Sequence, residues 1–173
     1  MKQSIYTYTT TYSEHSFKNY AYVLYKLRGK IRKLLILLFA GFFGLNGILM
    51  VPSGTGDLPT AILMIVLAII LVVYYKNTPK RLAKAMIKNS EDFDEYRKIE
   101  YSFFTSHFSV KDLDIETEIE YSKLYDLVET RENIFLFTKP RVAYIIAISD
   151  IPNKEEFTSF LEQKTNKTFT ILS

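Results

Sequence analysis

The chain has 173 residues, 48% hydrophobic and 24% charged, with a formal net charge of +3 and a mean hydropathy of +0.02, room for one ordinary domain plus a membrane anchor. It has no cysteine, which excludes disulfides, thiolate nucleophiles and cysteine-based zinc sites. Its charge is segregated: residues 1–33 carry +6, residues 34–75 only Asp57, residues 76–90 +5 and residues 91–173 −7, the reverse of a nucleic-acid binder, whose basic patch lies on the folded domain.

Residues 4–12 alternate, with Tyr6, Tyr8 and Tyr12 on one face and Ile5, Thr7, Thr9 and Thr11 on the other. Period two with aromatic and β-branched residues predicts a strand, and residues 1–12 are expected to join the sheet of the C-terminal domain. Ser13 and Glu14 then start a helix. Phe17, Tyr20, Ala21, Leu24, Leu27 and Ile31 recur at three- and four-residue spacing. Residues 13–33 therefore read as an amphipathic, basic pre-membrane helix along the bilayer interface, with Gly29 as a break.

Residues 34–51 and 60–75 contain no charged side chain. The first, about 27 Å as a helix, is close to the roughly 30 Å hydrocarbon core. Twelve of its residues are Leu, Ile, Phe or Val, each favouring insertion by about 0.3–0.6 kcal/mol. Asn46 costs about 2 kcal/mol if unpaired, so insertion wins. The second has ten such residues and is completed by interfacial Tyr74, Tyr75 and a snorkelling Lys76. No cleaved leader is expected, because the first apolar run begins at residue 34.

Lys26, Arg28, Lys30, Arg32 and Lys33 precede the first span and Lys76, Lys80, Arg81, Lys84 and Lys88 follow the second, while the loop at 52–59 holds only Asp57. The positive-inside rule puts that loop outside and both termini in the cytoplasm of a two-span cell-membrane protein. Gly41, Gly44 and Gly47 recur every third residue, with Asn46 among them. Small residues let helices approach and Asn46 is placed to bond across the contact, either within the hairpin or between copies in a homo-oligomer. Pro79 suits the first turn of a separate basic juxtamembrane helix over residues 76–90. Its Lys80, Lys84 and Lys88, with Arg81 and the five cations before the first span, are candidate anionic-lipid headgroup contacts.

Residues 91–173 read as a β-rich domain. Ile99, Tyr101 and Phe103 alternate with polar residues, followed by Phe108 and Val110. Leu113, Ile115, Thr117, Ile119 and Tyr121 then oppose Asp112, Asp114, Glu116, Glu118 and Glu120. After a helix-like turn around residues 122–127, three further strands follow, at 128–130, 134–138 and 142–148, and Pro152–Asn153 opens a helix that places Phe157, Phe160, Leu161 and Lys164 on one side. The expected class is α+β: a transmembrane hairpin plus a small antiparallel sheet with a C-terminal helix.

The segments "YSKLYDLVET", "IFLFT", "AYIIAI" and "KEEFTSFLEQK", after an N-terminal strand and two spans, resemble the YcxB-like bacterial membrane proteins. The resemblance implies a membrane-tethered domain similar to pleckstrin-homology-like folds and supplies no catalytic residues.

No constellation for catalysis emerges, and no cofactor is expected. His15 and His107 have no nucleophile and orienting group at a telling spacing. The acidic row starts like a calcium loop, but Thr117 stands where that loop needs glycine and strand residues point along a line. The "PSGTG" at residues 52–56 lacks the Lys and Ser/Thr of a phosphate loop. The expected role is a non-enzymatic module presenting an interaction surface to a protein partner, with anionic-lipid recognition as the alternative.

Overall fold

The computed structural model describes residues 3–53, 58–89 and 97–172. Half of the predicted loop at 52–59, residues 54–57, and the predicted start of the C-terminal domain at 91–96 lie outside the described residues. The chain divides into two units, Met1–Val23 with Ala85–Ser173, and Leu24–Lys84.

In the first unit, β1 (Tyr6–Thr11), β2 (Lys98–Phe103), β3 (His107–Asp112) and β4 (Ile115–Glu120) form one antiparallel sheet in that order. Tyr6 pairs with Phe103 and Tyr8 with Tyr101, so the tyrosine face of β1 joins the aromatic face of β2. A second sheet has the order β7-β6-β5-β8, built from β5 (Asp126–Glu129), β6 (Asn133–Lys139), β7 (Val142–Ala147) and β8 (Thr170–Ile171). β8 runs parallel to β5. The sequence pattern predicts one sheet with a helix-like turn around residues 122–127; the turn is a shorter 3-10 turn over Tyr121–Lys123 and divides the strands into two sheets. There the buried Tyr121 donates its hydroxyl to the Phe104 carbonyl at 2.8 Å, anchoring the corner between the sheets.

The core lies beneath α4 (Lys154–Thr165). Phe157 and Leu161 are fully buried, and the Phe157 ring meets Tyr8 and Phe103 edge-on at 5.0 and 4.8 Å, the arrangement the ring quadrupoles favour. Asn153 caps the helix by accepting from the Glu156 N–H. Asn166 ends it at φ 53°, the left-handed conformation asparagine tolerates.

β6 is buried on both faces, as its continuous apolar run requires. Ile134 and Leu136 enter the core. On the other face the Tyr20 ring of α1 (Glu14–Arg28) stacks on Phe135 at 5.9 Å and donates its hydroxyl to the Arg141 carbonyl at 2.6 Å. Ser16, Tyr20, Ala21 and Val23 are buried. The first half of α1 thus spends its apolar stripe on the second sheet, where the sequence suggests a bilayer surface.

The two sheets are fastened by side chains. The Ile145 N–H donates to the Tyr12 hydroxyl at 3.1 Å, Tyr12 bonds the Tyr101 hydroxyl at 2.8 Å, and Tyr101 donates to the Ile145 carbonyl at 2.9 Å. Beside this closed ring, Thr10 Oγ1 accepts from the Ala147 N–H. Buried backbone groups at the β7 edge are thereby satisfied.

The second unit holds α2 (Lys30–Ser53) and most of α3 (Leu58–Asn89). Both are long and apolar enough to cross a membrane, over Lys30–Val51 and Leu58–Lys88, and only 11% and 6% of their apolar windows are buried within the protein. Such exposure is foreign to a core helix of a soluble domain. α3 does not restart at Pro79 but runs straight through it. Proline deprives the Tyr75 carbonyl of its helical donor; the Tyr25 hydroxyl donates to that carbonyl at 3.4 Å, and Thr78 Oγ1 bonds the Tyr74 carbonyl at 2.9 Å.

Candidate functional site

The helical unit is a hairpin packed through small residues. A Cβ on Gly44 would lie 3.7 Å from Ala68 Cβ, and one on Gly47 would meet Ile65 Cγ1 at 2.8 Å and the Ala61 carbonyl at 3.0 Å. Rising numbers on α2 meet falling numbers on α3, so the helices are antiparallel. Gly41 stands apart, with nothing within 4 Å of its would-be Cβ. Asn46 does not bond across the contact: its Nδ2 donates to the Phe42 carbonyl of its own helix at 2.8 Å, which satisfies the amide locally.

At the other end of the hairpin three side chains from two helices converge. Arg32, near the start of α2, donates from Nη2 to the Tyr74 hydroxyl at 2.7 Å, and its guanidinium carbon lies 5.7 Å from the centre of the Tyr74 ring. Arg81, seven residues beyond Tyr74 on α3, sets its guanidinium 4.9 Å from the same ring centre. Both distances are in the cation–π range. The neighbouring Tyr75 meets Tyr25 of α1 at 5.4 Å. The structure therefore joins Arg32 and Arg81 among the sequence-derived headgroup candidates. Lys30 and Lys33 share the first turn of α2, Lys80, Lys84 and Lys88 lie along α3, and Lys26 and Arg28 close α1. The role of Tyr74 as meeting point is missed by the sequence, because spacing within one helix says nothing of the partner across the hairpin.

On the sheet unit, the acidic row is broken. Asp112 ends β3 and pairs with Arg97, Nε to Oδ1 at 2.5 Å; Leu113, at φ 54°, turns the chain, and Ile115 faces Asp112 across the hairpin. Glu116, Glu118 and Glu120 remain on β4 and are exposed. Among the described residues β4 is the last strand of its sheet, so its outer edge carries no ladder. Leu113 and Ile115 are 70% and 69% exposed beside it.

The two histidines are separated. His15 bonds Glu132, which Asn19 also contacts at 2.6 Å, and these hydrogen bonds, that from His15 foremost, hold the Glu132 carboxyl below its usual range. His107 stacks on Phe104 at 4.8 Å, bonds Ser106 Oγ through Nδ1 at 3.1 Å and sits 3.9 Å from Glu118. Ser106, His107 and Glu118 line an open groove of about 650 Å³ with Lys123 and Lys164. The outer distance exceeds a hydrogen bond, so the carboxylate does not orient the imidazole. Among the described residues no cluster of three His, Asp or Glu fit to hold a metal ion occurs.

Compared with known proteins, the YcxB-like protein family matches residues 103–163, from the last residue of β2 through most of α4. No curated protein and no solved structure matches the chain. The chain thus carries a YcxB-like domain at residues 103–163, with two helices that could be membrane spans in its N-terminal part.

Proposed function

We propose that the chain is a two-span integral protein of the cell membrane with both termini in the cytoplasm, and that its sheet unit is a tethered binding module rather than an enzyme. Two observations support the topology. The cations flank both helices on their outer sides. Independently, β1 pairs with β2 although both spans lie between them in sequence, so the two flanks share one side and the number of crossings is even. Two four-stranded sheets closed by a C-terminal helix support a similarity to pleckstrin-homology-like folds.

The free edge of β4 carries the binding reading. An unladdered strand offers its N–H and C=O groups to an added strand, and exposed Glu116, Glu118 and Glu120 select a basic, extended protein segment. A photo-crosslinker at Thr117 in intact membranes is expected to trap a discrete, salt-sensitive partner band that Glu116→Lys with Glu118→Lys abolishes. Equal trapping from Thr7, exposed on β1, would refute it. For topology, a phosphatase active only outside the cytoplasm is expected to be silent after Ser173 and active after Ser53; the reverse pattern overturns the orientation. An enzyme would instead lose its phenotype on His107→Ala.

A further inference from the structure

We infer that Arg32, Tyr74 and Arg81 form a discrete site for the phosphate of an anionic phospholipid at the basic end of the hairpin. The inference rests on the membrane-spanning reading and goes beyond it by separating two guanidiniums from the general basic flanks.

Three features of the site point to that ligand. The first is depth: the charge-free run of α2 begins at Leu34, two residues after Arg32, and that of α3 ends at Tyr75, one residue after Tyr74. The three residues therefore stand where apolar helix gives way to charged helix, the level of headgroups and of interfacial tyrosines. The second is electrostatic. Residues 24–84 contain nine cations and one acid, Asp57, which falls in the sequence between α2 and α3. Holding two guanidiniums on one ring leaves two like charges close together, with no carboxylate among the described residues of their own unit to offset them. A phosphate diester supplies that charge, and ring contact moderates the desolvation of each arginine.

The third is the side-chain type. Seven of the nine cations need only be positive to fix topology, and six of those are lysines: 26, 30, 33, 76, 80 and 84. The two positions that converge on the ring are both arginine. A guanidinium presents a planar fork of donors that matches phosphate oxygens, whereas an ammonium is a point charge. Tyr74 fixes one fork by accepting from Arg32 Nη2, so less rotamer freedom is lost when lipid arrives.

The test uses the full chain, purified in neutral detergent and exposed to equal amounts of phosphatidylglycerol and phosphatidylcholine, with retained lipid counted by mass spectrometry. The wild type is expected to retain phosphatidylglycerol about tenfold over phosphatidylcholine, and Arg32→Lys with Arg81→Lys to lose most of that preference, the loss of about one charge-assisted bidentate contact. Lys80→Gln with Lys84→Gln removes two charges yet leaves the site, and is expected to cost less than threefold. Tyr74→Phe keeps the ring, removes the acceptor for Arg32, and is expected to lower the preference about three- to tenfold, the net worth of one ordinary hydrogen bond. Equal retention of the two lipids by the wild type, or a double arginine variant indistinguishable from it, overturns the site. Displacement of the lipid by equimolar inorganic phosphate overturns it in favour of free phosphate. Recovery of the chain from cells without detergent would defeat the membrane reading and the site together, an outcome distinct from membrane retention without lipid preference.

Discussion

A cysteine pair can test the helical hairpin directly, because the chain has no cysteine of its own. The would-be Cβ of Gly44 lies 3.7 Å from Ala68 Cβ, near the centre of the roughly 3.5–4.5 Å window for disulfides. Gly44→Cys with Ala68→Cys is expected to close within the chain under mild oxidant, seen as a faster band on a non-reducing gel. Gly41→Cys with Ala68→Cys should not, since Gly41 faces no side chain of α3 within 4 Å. Adding Gly47→Ala gives the reasoning its magnitude. The new methyl would stand 2.8 Å from Ile65 Cγ1, which can swing away, but also 3.0 Å from the Ala61 carbonyl and 3.2 Å from the Ile65 nitrogen, which cannot. The helices must part by a few tenths of an ångström, an overpacking cost of about 1–3 kcal/mol. That lowers the closed-to-open ratio of the hairpin by about five- to a hundredfold, and the crosslinking rate should fall accordingly. A Gly41 pair that closes as fast as the Gly44 pair, or a Gly47→Ala background without effect, would refute the packing.

Tyr12→Phe opens the hydroxyl ring at the sheet junction and leaves the Ile145 N–H unpaired; thermal unfolding of the full chain in detergent should show a loss of about 1–3 kcal/mol. Burial pushes the Tyr8 and Tyr20 hydroxyls up to about 12 from the model-peptide 10. A raised tyrosine favours the neutral form in the fold, so its contribution is complete below pH 10 and is lost as pH climbs through about 12. Circular dichroism and tyrosinate absorbance should therefore change together in that window, and ionisation of these groups at pH 10 without unfolding would contradict their burial. Leu113→Asn relieves a left-handed backbone at a side chain that is 70% exposed, and should stabilise the sheet unit by up to about 1 kcal/mol in denaturant titration.

The features legible in the sequence are those carried by local repetition. Alternation of Tyr6, Tyr8 and Tyr12 marks β1, the IFLF run marks a strand buried on two sides, and two charge-free runs mark α2 and α3. What escaped depends on partners distant in sequence. A proline is read as a helix start because its own turn loses a donor, and nothing near residue 79 announces that Tyr25 replaces it. Asp112 and Glu120 look like one row because alternation is blind to a two-residue turn without glycine, here made by Leu113 at positive φ. The turn after β4 is legible, but not that it splits the strands into two sheets, since the corner at Tyr121 is fixed by a bond to Phe104 in the preceding hairpin. In the site, both arginines are visible as charges, but their meeting on Tyr74 belongs to the crossing of two helices.

The register of the first sheet also orders events during synthesis. Tyr6 finds its place beside Phe103, so the first strand leaves the ribosome roughly ninety residues ahead of its partner, a wait of about 5–20 s at ordinary elongation rates. Both apolar helices are made in that interval. The nascent chain thus holds an orphan strand of tyrosine and threonine, rich in unmet hydrogen bonds, while, in the proposed topology, its hairpin enters the bilayer. Under the proposed two-span topology this pairing can close only after both crossings: a chain that inserted a single helix would hold β1 across the membrane from β2 and leave Tyr101 and Phe103 without the strand that covers them.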